Sequence, residues 1–304
     1  MEPANDPGND RATGALPESS ACFSGRLVKR YDEKRIHADS FSLELDVDIH
    51  SGTTHGILGH SGSGKSTLLN LLAILDTPSP DSQDLRMDFQ STERGACSYA
   101  WRNDGWHQAN GSGVKRIKEG VIRRRHFGFV FQAGHLSPNL TAAQNVMFPL
   151  ALADADRREA HAKATTLLEK VGLAPRLHRA LPRNLSGGEY QRVAVARALA
   201  HDPDVVFADE PTGNLDPDAG VKVMNALHEW READAGRTLI LVTHNIDQAM
   251  DYCDRLTVLR GGNAVTETKS KDGQGGPLAA TVPSEAIARE AYRSAVEEAL
   301  KPRH

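Results

Sequence analysis

The stretch "GHSGSGKST", Gly59 to Thr67, decides the reading of this 304-residue chain. It matches G-x-x-x-x-G-K-[ST], with Gly59, Gly64, Lys65 and Ser66 at the fixed positions. The glycines let successive backbone N–H groups turn inward onto an anion, and the helix expected to follow adds its positive end. Lys65 reaches the terminal phosphates and Ser66 offers a hydroxyl to Mg²⁺. His60, Ser61, Gly62, Ser63 and Thr67 complete the loop, so all nine residues are candidate nucleotide contacts. Chance produces such a match on the order of once per hundred chains. Context strengthens it: the apolar run "HGILG" precedes the loop and "STLLNLLAIL" follows as an expected helix through Leu75.

Working outward, three apolar runs end in residues that can handle a phosphate, a metal ion or a water. "DVVFAD" ends in Asp209, whose carboxylate suits the water shell of Mg²⁺, and Glu210 follows, able to polarise a water. "FGFVFQ" ends in Gln132, which offers a carbonyl to Mg²⁺ and an amide to the attacking water. "TLILVTH" ends in His244, a candidate γ-phosphate sensor. Such runs alternate with helical patterns, which predicts a parallel sheet with all C-terminal strand ends on one edge. Tyr31 is the candidate for stacking on a base.

A second phosphate cradle stands more than a hundred positions later. "LSGGEYQR", Leu185 to Arg192, sets Ser186, Gly187 and Gly188 at an expected helix start. One nucleotide does not need two such devices.

In this order and spacing the motifs resemble an ATP-binding-cassette (ABC) ATPase. "GHSGSGKST" is similar to its Walker A loop, "FVFQ" to its Q-loop, "LSGGEYQR" to its signature, "VVFADE" to Walker B, "GNLD" to the D-loop and "VTHN" to the switch-histidine loop. The resemblance runs from about Phe23 to Gly262. It implies an α/β fold: a RecA-like P-loop core with a mainly parallel sheet, a small antiparallel β subdomain and an inserted α-helical signature subdomain at about 134–190. It also implies ATP and Mg²⁺ as cofactors, hydrolysis through Glu210, His244 and Gln132, and Asp216 of the D-loop beside the nucleotide. In that family two subunits sandwich ATP head to tail, Ser186, Gly187 and Gly188 of one facing the phosphates held by Lys65 of the other. That gives the second cradle its purpose.

"TLLNLLAILDTP", "FGFVFQAGHLSPNLTAAQNVMFPLAL" and "ADEPTGNLD" are similar to the bacterial group serving lipoprotein release, macrolide or peptide efflux and cell-division signalling. The implied partners are a second ABC subunit and a separately encoded membrane permease. The permease would meet the region from about Ala133 to Val146, with Leu140 and Val146 as expected contacts. The alternative is a soluble ABC ATPase of iron–sulfur assembly, nucleic-acid repair or translation.

Bulk properties agree. A chain 39% hydrophobic and 25% charged can bury a core, and a net charge of -4 argues against whole-surface nucleic-acid binding. Neither a signal peptide nor a membrane span is legible, so the expected location is cytoplasmic, peripheral on the inner membrane through the partner. Cys22, Cys97 and Cys253 lie too far apart for a disulfide framework or a metal site. Residues 1–21 read as a disordered tail, 22–262 as the ATPase, and 263–304 as a linker and an amphipathic helix capped by Ser284. Residues 77 to about 120 read as a surface excursion, longer than the family's hairpin and without its usual turn glycine. The basic run Lys115 to Arg125 reads as a solvated helix.

Overall fold

The computed structural model describes residues 21–31, 41–91, 95–110, 113–153, 155–213, 215–264, 267–268, 276–277 and 286–301. The expected tail lies outside these residues up to position 20, as do Ser284 and most of the expected linker. In chain order the strands are β1 (Ala21–Arg30), β2 (Ser42–His50), β3 (Thr54–Gly59), β4 (Gln83–Ser91), β5 (Gly95–Arg102), β6 (Gly105–Asn110), β7 (Gly113–Arg116), β8 (Phe127–Val130), β9 (Val205–Asp209), β10 (Thr238–Thr243), β11 (Arg255–Arg260) and β12 (Asn263–Ala264). The helices are α1 (Lys65–Leu72), α2 (Glu119–His126), α3 (Ala142–Leu152), α4 (Arg157–Lys170), α5 (Gly187–Leu199), α6 (Pro217–Glu232), α7 (Ile246–Tyr252) and α8 (Ala286–Leu300).

The continuous apolar runs become strands covered on both faces. β11, β3, β10, β9 and β8 lie side by side and parallel. Along β9, Val205 and Phe207 enter one core while Val206 and Ala208 enter the other. β10 does the same with Ile240 and Val242 against Leu239 and Leu241. Period-two alternation therefore serves two layers, and neither face can carry a charge. One core gathers the helices α3 to α8; the other wraps α1.

The antiparallel part is larger than expected. β7, β6, β5, β4, β1 and β2 form an antiparallel run, and β12 joins it to β11, so one twelve-stranded sheet results. The supposed surface excursion is the β4–β7 meander, whose buried residues join the core that wraps α1. In "DLRMDFQ" Leu85, Met87 and Phe89 alternate inward, a period of two that separates strand from loop. The β5–β6 turn does use a glycine: Gly105 has φ 130, a region costly for any side chain. Phe89 meets Phe127 edge-on at 5.8 Å, and Phe23 meets Phe207 at 6.1 Å, which ties this meander to the parallel strands.

Two helix boundaries differ from expectation. α1 stops at Leu72, because Ile74 turns to φ 55 and Asn70 O accepts both Leu75 N and Asp76 N. Within the basic run only Glu119–His126 is helical; Lys115 and Arg116 sit on the edge strand β7. Their charge suits an edge that must not pair further. α4 ends just before Gly172, which sits at φ 73 with its N–H on Glu169 O at 2.9 Å.

Candidate nucleotide site

The loop from Gly59 to Ser66 leaves β3 at the C-terminal edge of the parallel strands and enters α1. Gly64 caps that helix at φ 102, and a Cβ there would stand 2.8 Å from the Phe41 ring. Conformation and crowding both exclude a side chain. The Lys65 ammonium waits on the loop itself, donating to Gly59 O at 2.7 Å and His60 O at 3.0 Å. Burial lowers its pKa, while the nearby Glu210 and Asp209 carboxylates pull the other way.

A cavity of about 770 Å³ gathers His60, Ser61, Gly62, Gly64, Lys65, Ser66, Thr67, Gln132, Asp209, Glu210 and His244, with Phe41. Gly59 ends β3 behind it, and Ser63 is buried. Four loops from four different strands thus meet at one edge, as parallel topology requires. Glu210 is the hub. It sits at φ 44, its N–H donating to Val242 O at 2.9 Å. Its carboxylate accepts from Gln132 Nε2 at 3.1 Å and meets His244 Nδ1 at 2.8 Å. A non-glycine residue in this region carries backbone strain, which tends to be kept where function needs the placement. Asp209 has a raised pKa, first from burial and then from Glu210, with Lys65 opposing.

Tyr31 is not on the cavity wall. Its ring lies 6.4 Å from that of Phe41, its hydroxyl reaches Asp76 at 3.3 Å, and Lys29 covers its face at 5.1 Å. Phe41, unremarked in the sequence because it opens an alternating strand, is the aromatic that lines the cavity.

Ser186, Gly187 and Gly188 are absent from that wall. Ser186 caps α5 in a reciprocal box: Glu189 N donates to Ser186 Oγ at 3.3 Å, and Ser186 N to Glu189 Oε2 at 2.8 Å. A Cβ at Gly187 would meet nothing within 4 Å, so this helix start faces open space. Asp216 caps α6 by accepting from Ala219 N at 2.9 Å. It lies beside Gly188, 4.0 Å from where a Cβ would stand. The start of α5 and the cavity at Lys65 are therefore separate features of one chain.

α5 also fastens the loop after Gln132, which the motif alone does not reveal. Tyr190 Oη accepts from Leu136 N at 2.8 Å, and Gln191 donates to Phe131 O at 3.2 Å. Arg197 donates to Gly134 O at 2.7 Å and His135 O at 2.6 Å. The expected permease contacts need correction here. Val146 is 0% exposed, inside the helical core, and Leu140 is half-buried, whereas Phe148 is 54% and Leu152 49% exposed on α3. On α3 helical spacing turns Val146 inward and Phe148 and Leu152 outward, while Leu140 lies in the loop before the helix.

A family model described as ABC transporter matches residues 43–213. An uncharacterized ABC transporter ATP-binding protein of Methanocaldococcus jannaschii is 40% identical over 221 residues, covering 73% of this chain and 88% of that protein. A macrolide export ATP-binding/permease protein of Aeromonas hydrophila is 40% identical over 227 residues, 75% of this chain; the match spans only 31% of that longer protein. Among solved structures, a dimeric ATP-binding cassette in a post-hydrolysis state with ADP and Pi matches with TM-score 0.64 and 30% identity. It covers 84% of this chain and 97% of that one.

Proposed function

Because this chain belongs to the ABC transporter family of ATP-binding, ATP-hydrolysing subunits, we propose that it works as a head-to-tail ATP-sandwich dimer driving a separately encoded membrane permease. The observation that carries the dimer is the separation of the two cradles. Lys65 and Glu210 line one cavity, while Gly187 at the start of α5 lies off that wall and faces open space. A second copy turned head to tail gives each outward cradle a phosphate to hold.

Within that arrangement each residue has a task. The backbone from Gly59 to Gly64 wraps the phosphates, and Lys65 leaves the Gly59 and His60 carbonyls to neutralise them. Glu210 polarises the attacking water, with Gln132 and His244 fixing its two oxygens. Asp216, as cap of α6 beside Gly188, supports the outward cradle. Phe41, the aromatic on the cavity wall, takes the base, and Tyr31 packs behind it. Mg²⁺ fits the donors present: Asp209, Ser66 and Gln132 supply one carboxylate and two neutral oxygens, and this ion binds through one or two carboxylates plus phosphate. When bound it neutralises charge on the phosphate oxygens.

The permease reading rests on the exposed Phe148 and Leu152 of α3, next to a loop that Gln132 and Arg197 tie to both cradles. Among the described residues no helix is long and apolar enough to cross a membrane; in this reading the chain sits on its permease at the cytoplasmic face of the inner membrane. Fractionation of cells co-expressing the chain with the permease of its neighbouring reading frame tests this. Wild type should sediment with membranes, and Phe148→Asp or Leu152→Asp should release it while basal hydrolysis persists. Wild type that never leaves the soluble fraction would favour a soluble ABC ATPase instead.

A further inference from the structure

The C-terminal helix α8 has no part in the reading above, yet it touches both sides of the nucleotide edge. Tyr292, Val296 and Ala299, on one stripe, are buried in the core that includes Cys253, Leu256 and Val258. Arg293 pairs with Asp247 at 2.6 Å. Asp247 belongs to the first turn of α7, three residues after His244 in sequence. Arg289 donates to Met250 O at the far end of that helix. At the other extremity Arg260 donates to Glu298 O at 3.1 Å, and His60 Nε2 donates to Leu300 O.

That last bond is physically apt. The final carbonyls of a helix lack partners within it and carry its negative end, so a ring N–H is a favourable cap. His60 faces the other way through its backbone: its carbonyl accepts from Lys65 Nζ at 3.0 Å and from Ser63 N at 3.1 Å. A continuous series of bonds runs from the Leu300 carbonyl through the His60 ring and backbone to the lysine that meets phosphate.

We propose that His60 is a positioning residue and α8 a strut that holds the phosphate loop in its binding shape before nucleotide arrives; the idea rests on the nucleotide reading of that loop. An exposed loop residue left free must be ordered on binding, and a bond already made removes that cost. α8 thereby makes the C-terminal segment part of the nucleotide site.

Titration of the full chain with a fluorescent ATP analogue tests this. One hydrogen bond of ordinary net strength corresponds to about threefold to tenfold in affinity. His60→Ala should lose affinity in that range, and His60→Gln, which keeps an N–H donor, should recover most of it. A chain ended after Glu297 keeps Tyr292 and Val296 in the core but lacks Leu300, and should show the same loss. Adding His60→Ala to that shortened chain should cost nothing more, since the partner is already gone. Wild-type affinity in His60→Ala, no recovery in His60→Gln, or losses that add in full would each overturn the proposal. Lys65→Ala is the separate control: if it binds the analogue as wild type does, the nucleotide reading of the loop has failed, whatever His60 does.

Discussion

Glu210 concentrates the chemistry of this edge in one strained residue with two side-chain partners. Glu210→Gln keeps size and hydrogen bonding but cannot polarise water as a carboxylate does. Steady-state assays should find turnover down by about 10²-fold to 10⁴-fold with nucleotide still bound, and near-normal turnover would remove Glu210 from the role. Asp209 gives a second prediction, on stability. An acid whose folded pKa is raised costs stability when ionised, fully above that folded value and not at all below its ordinary value of 3.8. Asp209→Asn should therefore raise the melting temperature of the nucleotide-free protein at pH 8, and the gain should fade as pH falls toward that value. A gain that persisted unchanged in acid would point to another cause. The sequence made Asp209, Gln132 and His244 legible because each closes an apolar run, and Glu210 because it follows one. It hid Phe41, whose packing on Gly64 depends on contacts between β2 and the phosphate loop that no local pattern encodes.

At the scale of elements, α5 is both the second cradle and the clamp on the loop after Gln132. Three of its side chains hold that loop at four backbone groups, two of them beside Gly134 at φ 64 and His135 at φ 48. Thermal melts separate docking from folding. Val146→Asp should destabilise by several kcal/mol, because it strands a charge in a closed core, whereas Phe148→Asp should melt as wild type does. Equal melting temperatures for both would contradict the placement of α3. Helix existence was readable from apolar spacing in α4. The facing of α3 was not, since "AAQNVMFPLAL" is apolar nearly all round and only its neighbours decide which residues are covered. α1 was overextended for a related reason: "AIL" continues the apolar run, but Ile74 leaves the helical region.

Across the whole molecule, one continuous sheet carries the nucleotide edge at its parallel end and a long meander at the other. The parallel part followed from apolar runs alternating with helices. The meander was obscured by charged and aromatic residues lying between its inward positions, although "DLRMDFQ" carried the period. The proposed head-to-tail pair gives both the Lys65 cavity and the start of α5 at Ser186 to Gly188 a phosphate to hold. The most direct measurement is the molar mass of Glu210→Gln in solution with saturating ATP and Mg²⁺, by light scattering after size exclusion. The account predicts twice the mass of the monomer with ATP, monomer with ADP, and monomer with ATP once Gly187→Trp blocks the open helix start. A monomer with ATP at every concentration, while the analogue titration finds the site filled, would contradict the sandwich.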